Sequence, residues 1–280
     1  MNYFYMNLKR FDVPHEVGGV NYSNEMNSWV KNIVIALNEL LEPQINEHIQ
    51  VSLFLPELHI LQATAHAKEW LHIGSQSVYE KDVKIEGDFG ALTSHRSAKA
   101  MRYAGCQTTI IGHIEERRGI NQIYAIANIK NPVATNTILN HRILAAQEAG
   151  LQIVYCIGES ESEQDIWQEV LEKQLDVALA GVDTSSLVIA YEPIWAIGPG
   201  KTPPSKAYIE KVAAFIKEKT NGLPVIYGGG LKTSNAQLIA SCENIDGGLI
   251  ALTSFEGNIG FYPEEAKDII ELYVTGAEQR

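Results

Sequence analysis

A single glutamate, Glu192, stands where an apolar run ends, and a proline follows it directly. The run covers residues 187–190, and the segment after Pro193 is apolar at first and then glycine-rich. A carboxylate held at the end of a buried strand can act as a general base, and a loop that follows it can close over a ligand. The segment therefore predicts a site of proton abstraction, provided that the rest of the chain supplies an electrophile and positive charge.

Other short apolar runs also end in residues that could take part in this chemistry. Asn7 and Lys9 follow the first run, His113 follows the fourth, and the turn Tyr-Gly-Gly-Gly, which ends at Gly230, belongs to the seventh. An amide, an ammonium, an imidazole and a glycine turn would join the carboxylate of Glu192. Together they are the parts needed to remove a proton next to the carbonyl of an anionic substrate.

The elements that must position these residues alternate along the chain. Eight apolar runs read as buried strands, at residues 3–6, 51–55, 71–73, 108–111, 152–157, 187–191, 224–227 and 248–252. Helical patterns lie between and after them, at about 24–41, 57–69, 94–104, 133–149, 163–180, 205–220, 233–241 and 263–273. The alternation predicts an α/β fold, a (β/α)₈ barrel of eight parallel strands in a single domain covering 1–280, whose strand ends share one active-site face. An open doubly wound sheet is the alternative.

The composition limits the class of protein and its partners. The chain is 45% hydrophobic and 20% charged, and it has no apolar run long enough to span a membrane. Its N-terminus does not have the pattern of a signal peptide. The net charge of −12 disfavours nucleic-acid binding. Three scattered cysteines without a CxxC pair indicate reduced thiols and a cytoplasmic protein.

Several segments, in order along the chain, resemble triosephosphate isomerases. They are Asn7-Leu8-Lys9, Gly112-His113 followed by Glu115-Glu116-Arg117-Arg118, Cys156-Ile157-Gly158-Glu159, Tyr191-Glu192-Pro193-Ile194-Trp195-Ala196-Ile197-Gly198, Tyr227-Gly228-Gly229 and Asp246-Gly247. The resemblance covers essentially the whole chain and is most specific in the segment around Glu192. It implies interconversion of dihydroxyacetone phosphate and D-glyceraldehyde 3-phosphate, in glycolysis and gluconeogenesis, with no cofactor and no metal.

The resemblance also implies a role for each candidate residue. Glu192 moves the proton between adjacent carbons through an enediolate, and His113 polarises the carbonyl. Lys9 supplies positive charge to the phosphate and the enediolate, and Asn7 positions the substrate. Gly198 donates its backbone N–H to the phosphate when the lid closes.

Three residues of the predicted phosphate site depart from the family pattern. Gly230 stands where the family has a serine, and Ala251 and Leu252 stand where it has two glycines. We expect these three residues still to bind the phosphate, with altered detail. The chain also looks longer after His113, and we expect an insertion in the loop after strand four, at about 119–131, on the active-site side.

Two further expectations concern the contact between subunits and an ion pair near the site. Residues 87–91 resemble the loop that enters the partner subunit in this family, which predicts a homodimer through the loop around Phe89. Because Gly90 stands where the family has a threonine, the dimer contacts near Lys9 must differ. Glu115 and Arg117 are expected to form a structural ion pair below the site.

Three functions remain open at this point. The first is the triosephosphate isomerase reaction. The second is the same chemistry on a related ketose or aldose phosphate, for example a four-carbon sugar phosphate, which the altered phosphate loops motivate. The third is a non-catalytic barrel that binds a phosphosugar.

Overall fold

Eight parallel strands close into a barrel in the computed structural model, which describes residues 1–23, 25–85, 87, 89–131, 133–197 and 201–279. Each strand pairs with the next, and β8 pairs with β1. The strands are β1 (Asn2–Asn7), β2 (Ile49–Leu55), β3 (Leu71–Ser75), β4 (Thr108–Ile111), β5 (Gln152–Ile157), β6 (Leu187–Tyr191), β7 (Val225–Tyr227) and β8 (Gly247–Ile250). The predicted barrel is confirmed, and the open sheet is wrong.

Helices follow the strands and cover the outside of the barrel. Those in the described part are α1 (Met26–Leu41), α2 (Ile60–Thr64), α3 (Ala98–Tyr103), α4 (Ile114–Ile126), α5 (Ala134–Glu148), α6 (Trp167–Ala178), α7 (Lys206–Lys219), α8 (Ala236–Ala240) and α9 (Pro263–Ala277). In the described residues we find no helix with the length and apolar character that crossing a membrane needs.

The helix α4 differs from the expectation of a loop after strand four. It begins directly after His113, and Ile114, Arg117 and Ile120 lie on its buried face at three-residue spacing. Acidic residues in its first turn suit the positive end of the helix dipole. Much of the segment at about 119–131 is therefore the end of a helix, and its status as an insertion stays a prediction.

Two hydrophobic clusters explain why the strand ends point where they do. Val188 and Ala190 belong to a cluster inside the barrel, whereas Ile189 and Tyr191 pack in the larger cluster between strands and helices. Side chains alternate along a strand, so Glu192, the next residue, has the parity of Ala190. The alternation of β6 thus delivers the Glu192 carboxylate to the mouth of the barrel.

Candidate active site at the mouth of the barrel

Glu192 is held beneath the mouth with 2% of its surface exposed. Its Oε1 lies 3.3 Å from Nε2 of His113, and its Oε2 accepts a hydrogen bond from the backbone N–H of Ile114 at 3.0 Å. Burial raises the pKa of Glu192, although His113, the Ile114 N–H and Lys9 oppose this rise. A carboxylate that is costly to keep ionised in this way has a strong tendency to take up a proton.

His113 faces Glu192 because of a turn at the end of β4. Gly112 has a φ of +83°, and a Cβ on it would lie 2.8 Å from the carbonyl oxygen of Cys156. The Nδ1 of His113 accepts a hydrogen bond from the Glu115 N–H at 3.3 Å, so in the neutral ring the hydrogen is on Nε2. His113 also caps the N-terminus of α4. The arrangement places Nε2 of His113 beside the carboxylate of Glu192.

Lys9 reaches the same region from the loop after β1. Its Nζ lies 2.6 Å from Oε1 of Glu115, and its backbone has a φ of +39°. The pKa of Glu115 is lowered because the hydrogen bond and charge of Lys9 outweigh the opposing effect of burial. Asn7 is buried, and its Oδ1 accepts hydrogen bonds from the Lys9 N–H and from Nε2 of Gln76, each at 3.1 Å. Gln76, which the sequence did not single out, thereby holds Asn7 and the loop of Lys9.

Arg117 does not pair with Glu115, so the expected ion pair between them is wrong. Its guanidinium donates hydrogen bonds to the carbonyl oxygens of Gly112 at 2.8 Å and Cys156 at 2.9 Å, and to the Tyr155 hydroxyl at 2.9 Å. Arg117 therefore fastens the end of β4 to the end of β5. This contact fixes the turn from which His113 projects.

A cavity of about 540 Å³ opens over these residues. Asn7, Lys9 and His113 all line it, and Gln76 and Glu115 form part of its wall. These five side chains come from three strand ends, those of β1, β3 and β4, as expected for a site at the mouth of a barrel. The cavity is large enough for a small sugar phosphate.

The segment after Glu192, which the sequence predicts to form a lid, contacts a second buried carboxylate, Glu159, through Trp195. Its Oε1 accepts hydrogen bonds from the Trp195 indole N–H at 2.7 Å and from the hydroxyls of Tyr191 at 2.9 Å and Tyr208 at 3.1 Å. Burial raises the pKa of Glu159, against the effect of these hydrogen bonds. Glu159 was not among the predicted site residues, although its place after strand five, in a segment that resembles the family, was a usable signal.

The predicted phosphate contacts lie on the other side of the mouth. Gly230 follows β7 with a φ of +89°, and Ala251 and Leu252 follow β8 with partly exposed side chains. A Cβ on Gly230 would meet only Cε of Lys232 within 4 Å, at 3.7 Å. Space for a side chain exists there, but the backbone conformation disfavours one. Gly198 lies outside the described residues.

Among the residues that the structure describes, there is no group of three or more His, Cys, Asp or Glu side chains that could hold a metal ion.

Comparison with known proteins gives a consistent result. The triosephosphate isomerase family model matches residues 20–262. The chain is 38% identical over 181 residues to a triosephosphate isomerase of Pelodictyon phaeoclathratiforme, covering 60% of this chain and 67% of that protein. It is 32% identical to one of Pseudomonas syringae, covering 79% of this chain and 88% of that protein. A crystal structure of triosephosphate isomerase from Bartonella henselae has the same fold, with a TM-score of 0.71, 23% identity and coverage of 98% of this chain and 99% of that one. The chain therefore belongs to the triosephosphate isomerase family of aldose–ketose isomerases.

Proposed function

We propose that this chain interconverts dihydroxyacetone phosphate and D-glyceraldehyde 3-phosphate. The observation that carries the proposal is the 3.3 Å approach of the buried Glu192 carboxylate to Nε2 of His113, at the mouth of the barrel. A base and a hydrogen-bond donor at this separation can act on the two ends of one carbon–carbonyl unit. The family membership of the chain supports the same reaction.

The reaction follows from the roles of three side chains. Glu192 takes a proton from the carbon next to the carbonyl, and the electron pair of that C–H bond moves to form an enediolate. The Nε2–H of His113 donates a hydrogen bond to the carbonyl oxygen, where negative charge develops. The Lys9 ammonium adds positive charge in the same cavity. His113 relays a second proton from the hydroxyl oxygen to the former carbonyl oxygen, and Glu192 returns the abstracted proton to the neighbouring carbon, so that no atom is gained or lost.

We propose that the phosphate lies between the lid and the loops after β7 and β8. Barrels of this type often hold phosphate at the ends of the last two strands. Backbone N–H groups of Gly198, Gly230, Ala251 and Leu252 are the predicted donors. Positive charge there would offset the field of a chain whose net charge is −12.

A coupled spectrophotometric assay with dihydroxyacetone phosphate tests the reaction. We expect kcat/KM above about 10⁴ M⁻¹s⁻¹, and we expect Glu192→Gln to lower kcat by about 10²- to 10⁴-fold, the usual contribution of a general base. Glu161→Gln, which changes a glutamate with a 77% exposed side chain, is the matched control.

Parallel assays separate the alternatives. A higher kcat/KM for a four-carbon ketose phosphate would replace the triose as the preferred substrate. Turnover of neither substrate, with tight binding of a sugar phosphate in calorimetry, would make the chain a phosphosugar-binding barrel.

We also propose that two copies of this chain pair through the loop around Phe89. Phe89 is 91% exposed, and Ile85 on the same loop is 98% exposed, which is unusual for large apolar side chains that have no partner surface. Light scattering after size exclusion should give the mass of a dimer for the parent chain and of a monomer for Phe89→Asp. Ile126→Asp, which changes an isoleucine that is 87% exposed at the end of α4, should leave the mass unchanged.

A cytoplasmic location, with a role in glycolysis and gluconeogenesis, completes the proposal. The three cysteines are all free and buried, as suits a reducing compartment.

A further inference from the structure

Lys232 lies between the loops after β7 and β8. Its backbone follows β7 by five residues, and its side chain folds back so that Cε approaches the position of a Cβ on Gly230 to 3.7 Å. Its ammonium lies 4.1 Å from the centre of the Phe255 ring, in the loop after β8. The side chain therefore spans the two loops that flank the predicted phosphate site.

The ammonium of Lys232 differs from the other cations of the mouth in its partner. Lys9 is paired with Glu115, and Lys201 at the end of the lid is paired with Glu161 at 3.6 Å. For Lys232, the described part of the chain contains no carboxylate within ion-pair distance. An ammonium that rests on a ring face keeps its full charge and can still donate hydrogen bonds.

Lys232 also lines a second cavity, of about 270 Å³, between the lid and the loop after β7. Gly229, Gly230 and Lys201 line the same cavity. A pocket lined by two lysines and a glycine turn suits a phosphate, which accepts hydrogen bonds from both amide and ammonium donors.

We propose that Lys232 binds the phosphate of the substrate, in place of the serine side chain that this chain lacks at Gly230, and supplements the backbone donors of Gly230, Ala251 and Leu252. The inference rests on the proposed function for the identity of the substrate. A lysine is a point charge on a flexible stem, so it can reach a phosphate that added side chains keep away from the backbone. Phe255 holds the ammonium over the site before the substrate arrives.

Kinetics of Lys232→Met on dihydroxyacetone phosphate test this assignment. Loss of a charged hydrogen bond to the phosphate should raise KM on the order of 10- to 100-fold, and should weaken competitive inhibition by inorganic phosphate by a similar factor. Lys232→Arg, which keeps the charge, should restore most of the affinity. Lys31→Met, which removes a lysine from an exposed position on α1, causes the same change in net charge and should leave both constants unchanged.

The same variants on glyceraldehyde, which has no phosphate, separate a phosphate contact from a general defect. Lys232→Met should not alter the slow turnover of glyceraldehyde. Equal losses on both substrates would overturn the proposal, because a phosphate contact cannot act on a substrate without phosphate. Phe255→Leu should give a smaller rise in KM, about two- to fivefold, as expected for an exposed cation–π contact.

Calorimetric titration with inorganic phosphate distinguishes a failure of the proposed function from a failure of the proposed role of Lys232. Weaker phosphate binding by Lys232→Met, in a chain that turns over no triose phosphate, would support the role of Lys232 and contradict the proposed function. Normal isomerase activity with unchanged KM and phosphate affinity in Lys232→Met would contradict the role of Lys232 alone. Lys232→Gln provides the same comparison if the methionine variant does not fold.

Discussion

The two halves of the barrel mouth differ in how firmly burial and hydrogen bonds hold their residues. The proton-transfer half consists of Asn7, Lys9, His113 and Glu192. Asn7, His113 and Glu192 are buried, and hydrogen bonds from the strand ends hold all four residues. The anion half consists of the residues after β7 and β8, which are partly exposed and depart from the family pattern.

The difference follows from what each half must do. Proton transfer requires the reacting atoms to be placed within a fraction of an ångström, so a substitution in that half changes the rate directly. A phosphate offers several equivalent oxygens, which amide or ammonium donors can hold in more than one arrangement. The reaction type is therefore fixed more firmly by this mouth than the way in which the phosphate is held.

Alanine substitutions at two nearby glycines, Gly228 and Gly230, test whether kcat is more sensitive to changes in the proton-transfer half than in the anion half. A Cβ on Gly228 would lie 2.7 Å from Cγ of Glu192 and 2.8 Å from the carbonyl oxygen of Tyr191, so Gly228→Ala must displace the base. We expect kcat to fall by about 100-fold, the effect of a displacement of about 1 Å. At Gly230 the added Cβ meets only the flexible end of Lys232, so Gly230→Ala should change kcat by less than about threefold.

Stability measurements provide the control for this pair. The φ of +89° at Gly230 makes alanine unfavourable there, so Gly230→Ala should lose about 1 kcal/mol of unfolding free energy. Urea denaturation measures this loss for both variants. A Gly228→Ala enzyme with the parent's kcat would show that the position of Glu192 is not constrained as the structure indicates.

The sequence predicted the regular elements better than the residues that end them. Strands β4, β5 and β6 have the predicted bounds, because continuous apolar runs are a strong signal for strands buried on both faces. The apolar residues Ala251 and Leu252 were predicted to extend β8, but they lie in the loop after it. An apolar side chain near the end of a strand does not indicate whether its backbone still forms hydrogen bonds with the neighbouring strand.

The supporting residues of the site could not be predicted by pattern alone. Gln76 holds Asn7 across 69 positions of sequence, and no local signal indicates such a contact. The helix α4 had a signal in the spacing of its buried residues, but the segment at about 119–131 was interpreted only from the extra length after His113. Glu192 and His113 were identified because their neighbours match a specific family pattern.

Trp195, in the predicted hinge of the lid, provides a test with an effect of intermediate size. Trp195→Phe removes the indole N–H that lies 2.7 Å from Oε1 of Glu159. Loss of a hydrogen bond to a charged group costs about 1.5 kcal/mol, so kcat/KM should fall by about tenfold if the lid must start from this anchored position. Tyr208→Phe removes the longer contact of 3.1 Å on the same oxygen and should have a smaller effect. Equal activity of all three enzymes in steady-state kinetics would remove Glu159 from the function of the lid.

The smallest expected effect is on folding stability, which the burial of the ionised Glu192 carboxylate lowers. Burial raises the pKa of Glu192 in the folded chain, so between its unfolded and folded pKa values the folded state binds more protons. Stability therefore falls as pH rises through that interval, and the full cost is present above the folded pKa. Glu192→Gln removes this cost and should be more stable than the parent by about 1 kcal/mol at pH 8, the order of a relieved buried polar group.

Measurements at two pH values separate this effect from a change in packing. Below the unfolded carboxyl pKa of about 4, both forms of the chain are neutral at position 192, and the advantage of Glu192→Gln should disappear. Differential scanning calorimetry at both pH values, with Glu161→Gln as the exposed control, measures the difference. An advantage that is the same at both pH values would come from packing rather than from the buried charge. In that case the proton-transfer half would not be constrained electrostatically, and its contrast with the anion half would rest on geometry alone.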